Sequence, residues 1–128
     1  MVCTTWYTVF MSQEFGSYLR QCREARRRKH GDYSLRKVAA EIGVQPSYIS
    51  KVERGEVAPP SEATIIRWAE VIGEDADVLL ALAGKVSADL REVIVKRPEL
   101  FARLIRELKD VPDHAVLRLV REVRDGEW

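Results

Sequence analysis

The stretch SLRKVAAEIGVQPSYISKVERG, Ser34 to Gly55, decides how the rest of the chain is read. Leu35, Val38, Ala39 and Ile42 recur at i, i+3, i+4 and i+7, one apolar face of a helix. Ser34 stands before them as an N-cap, and Gly43 follows where a helix ends in a left-handed residue. Gln45-Pro46 opens a second helix with Pro46 at its first position, where the missing N–H costs nothing. Ile49 and Val52 are its apolar pair, and Gly55 stops it. Gln45, Ser47, Tyr48, Ser50, Lys51 and Arg54 form a polar face rich in hydrogen-bonding groups. A short helix with such a face, set at an angle by a preceding helix and a tight turn, suits the major groove of B-DNA.

Small Ala39 in the first helix, Gly43 in the turn, the anchors Ile49 and Val52, and the ending Glu53-Arg54-Gly55 resemble the helix-turn-helix domain of the Cro/CI (XRE) regulators. The run PSYISKVERGEVAPPSEATI is especially close to that family's pattern, and the likeness extends from about Phe15 to Leu82. The resemblance implies an all-α, five-helix, lambda-repressor-like DNA-binding domain over residues 12–84. Residues 85–128 then form a helical extension, expected to dimerise, and residues 1–11 an N-terminal extension.

Length and composition agree with this class. The chain has 128 residues, enough for one domain and a small extension, with 46% apolar and 32% charged residues. The net charge is only +1, but the distribution is uneven. Residues 14–58 hold 10 Lys/Arg against 6 Asp/Glu, and residues 59–128 hold 11 against 14. A basic front half and a mildly acidic rear half fit one DNA-facing and one protein-facing module. Cys3 and Cys22 form no metal-spaced pair and no disulfide framework, which points to a reducing cytoplasm. No stretch approaches the ~20 apolar residues of a membrane span, and MVCTTWYTVF lacks the flanks of a signal peptide.

Residues 4–10, rich in Thr, Trp, Tyr and Val, are expected either as a β-strand or as a loose extension before Met11. A first helix should run from Ser12 or Gln13 to Lys29. It should bury Phe15, Tyr18, Leu19 and Cys22 and carry Arg20, Arg23, Arg26, Arg27, Arg28 and Lys29 on its solvated sides. His30 reads as a capping or surface residue. After the two-proline linker EVAPP, Ser61 caps a fourth helix with Ile65, Trp68, Ala69 and Ile72 inward and Gly73 at its end. Asp75 to Ala83 forms a fifth, with Val78, Leu79, Leu80 and Leu82 closing the core. Three amphipathic helices follow, opened by Ser87, Pro98 and Asp113. Their apolar sets are Leu90, Val93 and Ile94; Leu100, Phe101, Leu104, Ile105 and Leu108; and Val116, Leu117, Val120 and Val123. That is more apolar surface than a thin tail should expose; packing together, onto the core or onto another subunit would hide it, and a dimer interface is expected over a purely intramolecular extension.

By resemblance, the start and outward face of the second helix of the motif, about residues 46–54, read bases. Here those positions are Gln45, Ser47, Tyr48 and Lys51. Lys51 can donate to guanine O6 and N7, Gln45 can address adenine or a phosphate, and Tyr48 can meet a thymine methyl or a phosphate. Ser34, Arg36, Lys37, Ser50 and Arg54 are the expected phosphate contacts. Pro46 occupies a position where some relatives carry a polar base reader. Leu35 stands where many carry Gln beside the backbone; Leu cannot donate, and Arg36 is expected to take over part of that work.

The function this implies is a sequence-specific transcriptional regulator: a cytoplasmic, nucleoid-associated bacterial homodimer repressing from a palindromic operator on double-stranded DNA. The alternative is an antitoxin that binds its own operator and holds a partner toxin; a regulatory protease is another conceivable protein partner. An enzyme is not expected. The two histidines, His30 and His114, are far apart, and Asp75/Asp77 and Glu122/Asp125 read as surface pairs rather than acid–base dyads. No glycine loop cradles a phosphate, and neither cofactor nor metal is implied.

Overall fold

The computed structural model describes residues 2–128, with side chains from Met11 onward. Eight helices follow one another: α1 (Val2–His30), α2 (Leu35–Ile42), α3 (Pro46–Glu53), α4 (Glu62–Ile72), α5 (Ala76–Leu82), α6 (Ala88–Lys96), α7 (Pro98–Leu108) and α8 (Asp113–Asp125). They fall into two compact units, with the break after Ser87.

The first unit is built around the aromatic and aliphatic faces that the helical spacing defines. Phe15 and Leu19 of α1, Val38, Ala39 and Ile42 of α2, and Ile49 and Val52 of α3 are buried together with Ile65, Trp68, Ala69 and Ile72 of α4 and Leu79 and Leu80 of α5. Helix α1 packs on α3, α4 and α5, while α2 packs on α3 and α4. Gly16 makes the α1–α3 approach possible, because a Cβ there would overlap the carbonyl oxygens of Val52 and Glu53. The caps are those the sequence requires. Ser34 Oγ accepts from Lys37 N–H at 3.2 Å, and Ser61 Oγ accepts from Thr64 N–H at 3.4 Å. Lys85 seals the end of the unit, its backbone N–H donating to Leu80 O and its Nζ to Pro60 O at 3.0 Å.

Three expectations are corrected here. The backbone of residues 4–10 is helical rather than a strand, as α1 starts at Val2. A helix satisfies its own backbone, whereas a lone strand needs a partner; the packing of side chains 1–10 lies outside the described residues. Arg23 is buried rather than solvated, because a carboxylate awaits it inside the fold. Val78 is 45% exposed, because on a helix of seven residues only Leu79 and Leu80 can face the core fully.

The second unit has a different character. Helix α6 packs on α7, and Ile94, Phe101, Leu108, Ala115, Val116 and Leu119 are half-buried, but no residue of α6, α7 or α8 is fully buried. Leu90 and Val93, expected to face inward, are exposed, as are Leu100, Leu104, Ile105, Leu117, Val120 and Val123 of the apolar stripes. Forty-one residues sit at the lower limit of what supports an independent core, and three short amphipathic helices cannot all turn their stripes onto one another.

Candidate nucleic-acid interface

Helix α3 begins at Gln45, which has extended backbone angles and makes no side-chain cap bond; Pro46 supplies the first helical residue. Ile49 and Val52 fix one side of this eight-residue helix in the core. The opposite side carries exposed Ser47 and Lys51, and exposed Gln45 stands at the N-cap. Tyr48 is half-buried against the core and lines a shallow groove of about 490 Å³ with Val44, Gln45, Pro60, Ser61 and Thr64. The turn before α3 is held from behind. Gly43 takes φ 90°, a left-handed conformation suited to glycine, and its N–H donates to Ala39 O at 2.8 Å. Arg67 of α4 donates to Ile42 O at 3.1 Å, satisfying a carbonyl at the open end of α2.

The clamp that fixes α3 on α1 was invisible in the sequence pattern. Arg23 donates from Nε to Glu53 Oε2 at 2.7 Å and from Nη2 to Glu53 Oε1 at 3.0 Å, a bidentate pair whose side chains are 6% and 4% exposed. Its Nη1 donates to Tyr33 O at 3.1 Å, tying in the loop before α2. The bond to Glu53 raises the guanidinium pKa above its ordinary value against the opposing effect of burial. The paired charges line the floor of a depression of about 210 Å³ whose rim is Arg20, Leu35, Ser50 and Arg54. A residue in a basic run signals its burial only through a matching acid, here 30 positions away.

The expected phosphate-contact residues flank this depression or lie at the start of α2. Ser34 is the α2 cap, and Arg36 is exposed in its first turn. Lys37 Nζ lies 3.4 Å from Asp32 and 3.9 Å from Glu41, and Arg54 Nε lies 3.1 Å from Glu56. These ion pairs are exposed, and such pairs contribute ~0–1 kcal/mol, so they are readily exchanged for another anion. Ser50 is half-buried beside the Arg23–Glu53 pair.

On the far side of α1, Gln21, Cys22, Ala25, Arg26, Lys29 and His30 line a second depression with Ile72 and Glu74. Burial, followed by the charge of Glu74, pushes the Cys22 thiol up. Arg26 stacks over the Tyr33 ring at 5.3 Å. Among the described residues no cluster could hold a metal ion, and no helix is long and apolar enough to cross a membrane.

A five-helix core that turns the polar side of a short helix outward has the form of a DNA-binding module. The chain belongs to the helix-turn-helix domain family, whose model matches residues 14–82. Over these residues it resembles HTH-type DNA-binding regulators. It is 33% identical over 79 residues to the uncharacterized HTH-type transcriptional regulator RghRB of Bacillus subtilis strain 168. That alignment covers 62% of this chain and 53% of RghRB, so the chain spans about half the length of this relative. No solved structure matches the chain.

Proposed function

We propose that the protein is a sequence-specific transcriptional repressor that binds a palindromic operator as a homodimer in the bacterial cytoplasm. The observation that carries this reading is the two-sidedness of α3: Ile49 and Val52 are locked inside while Gln45, Ser47 and Lys51 stand exposed along one helix. Inserted in a major groove, Lys51 addresses guanine O6 and N7, and Gln45 addresses adenine or the flanking phosphate. Ser47 bonds a base edge, and Tyr48, leaning on the core, meets a thymine methyl or a phosphate. Arg36 and Ser34 at the start of α2, with Lys37, Ser50 and Arg54, hold the phosphate backbone on either side. One domain of this size makes few contacts. Two domains on half-sites about 10 bp apart, ~34 Å along the duplex, supply the rest.

The second unit favours a partner-bound role. Its helices leave their apolar stripes uncovered, which fits either a second copy of the chain or, in the antitoxin reading, a toxin. Selection of DNA from a random pool by the purified protein, with its mass measured in the same buffer, tests the proposal. Recovery of a short palindrome by a dimer is the expected result. Weak, sequence-blind binding by a monomer would overturn it and bring the antitoxin reading forward.

A further inference from the structure

Helix α8 carries a stripe that complements itself. Asp113, Leu117, Val120 and Arg124 fall at i, i+4, i+7 and i+11, the seam spacing of a two-helix coiled pairing. Leu117 is 54% and Val120 52% exposed, while Ala115 and Leu119, on the other side of the helix, and Val116, which flanks the stripe, are half-buried. The stripe therefore runs acid, apolar, apolar, base, from the N-terminal to the C-terminal end.

We infer that α8 pairs antiparallel with α8 of a second copy, placing Asp113 against Arg124 and Leu117 against Val120 across a two-fold axis. This rests on the dimeric reading above and specifies its interface. A two-fold axis between residues 118 and 119 maps each member of the stripe onto its complement. Both charge pairs are then attractive, and the apolar pair forms twice. Parallel pairing would set Asp113 beside Asp113 and Arg124 beside Arg124, and it would align the two helix dipoles unfavourably. Arg124 Nε now lies 3.0 Å from Asp125 Oδ1, but that pair is two-thirds exposed and yields readily to a partner carboxylate.

The available surface fits a second copy. The exposed aliphatic side chains of α6, α7 and α8, with Val111 between α7 and α8, are far more apolar surface than a unit of 41 residues needs to leave open. A unit of 41 residues in which no helix residue is fully buried gains in this way the core it lacks alone.

Charge reversal in the full chain tests the pairing. Asp113→Arg and Arg124→Asp each turn two attractive contacts per dimer into two repulsive ones. Each should weaken the dimer by on the order of tenfold in sedimentation equilibrium. The double variant D113R/R124D restores the complement in reverse and should return to within about threefold of the original affinity. Both reversals also oppose the dipole of α8, and the double variant keeps both of those costs, so its recovery isolates the contact between subunits. Single variants that dimerise like the parent, or a double variant weaker than either single, would overturn the α8 pairing while leaving the dimer standing. A parent chain that is monomeric at micromolar concentration would remove the pairing and the dimeric reading together, leaving the face to a different protein.

Discussion

Arg23 of α1 and Glu53 of α3 meet through two hydrogen bonds, at 2.7 and 3.0 Å, inside the first unit. The pair couples the motif's second helix to the scaffold, so its removal is felt in folding. Arg23→Met leaves a buried carboxylate without a counter-charge and should cost about 3–5 kcal/mol. The double variant R23M/E53L removes both charges and should be more stable than Arg23→Met alone. Urea unfolding followed by circular dichroism measures both, and equal stability of the two variants would contradict the clamp.

Lys51 is exposed in the last turn of α3 and, among the described residues, takes part in no ion pair. In the proposed reading it contacts one operator position. Lys51→Ala should lose about 1–3 kcal/mol of discrimination there with folding intact. Binding to a panel of single-base operator variants reads this directly; an unchanged preference profile removes Lys51 from the reading set.

Arg36 lies in the first turn of α2 and is assigned to phosphate rather than to bases. Arg36→Ala should weaken binding to all sequences alike and reduce the slope of log K against log salt by about 1 per half-site. A titration at several salt concentrations separates this from a base contact, which alters preference and leaves the slope alone.

At Gly16 the space that a methyl group would need is already filled by the backbone of Val52 and Glu53. Backbone cannot swing aside as a long side chain does. Gly16→Ala should therefore destabilise the first unit by about 1–3 kcal/mol, although alanine favours the helix by ~0.5–1 kcal/mol. A thermal midpoint equal to or above the parent's would show that α1 and α3 lie further apart than described.

Burial, and secondarily the Glu74 carboxylate, holds the Cys22 thiol above the ordinary range. A raised value means that the protonated, unreactive form prevails at neutral pH, and thiolate appears only at higher pH than for free cysteine. In a Cys3→Ser background, alkylation of Cys22 at pH 7.5 should be slower than that of free cysteine. Glu74→Gln should quicken it, because it removes a negative charge that opposes the thiolate.

Much of the first unit was legible because local chemistry and burial agree there. Ser34 with Gly43, and Ser61 with Gly73, mark the ends of α2 and α4 by their caps, and the buried faces of both follow from their spacing. Arg23 was illegible because a buried arginine among arginines looks like surface until its acid is found in another helix. Thr4 to Phe10 misled through their β-branched and aromatic content, a preference that neighbouring helix overrode. In the tail, helix positions followed from Pro98 and Asp113, but the apolar spacing could not say which stripe is covered. At the candidate site, the outward set Gln45, Ser47 and Lys51 was legible, as was the start of α2. The lean of Tyr48 onto the core and the ion pairs of Lys37 and Arg54 depend on tertiary neighbours.

The bond from Arg67 to the Ile42 carbonyl reaches the turn from a helix outside the motif. The angle between α2 and α3 is thus maintained by groups that take no part in the outward surface of α3. Substitutions at Gln45, Ser47 and Lys51 should leave the frame intact, so on the proposed reading a lineage could change the sequence it recognises by small steps, each yielding a protein that still folds. Recognition, so read, can drift while the architecture stays still.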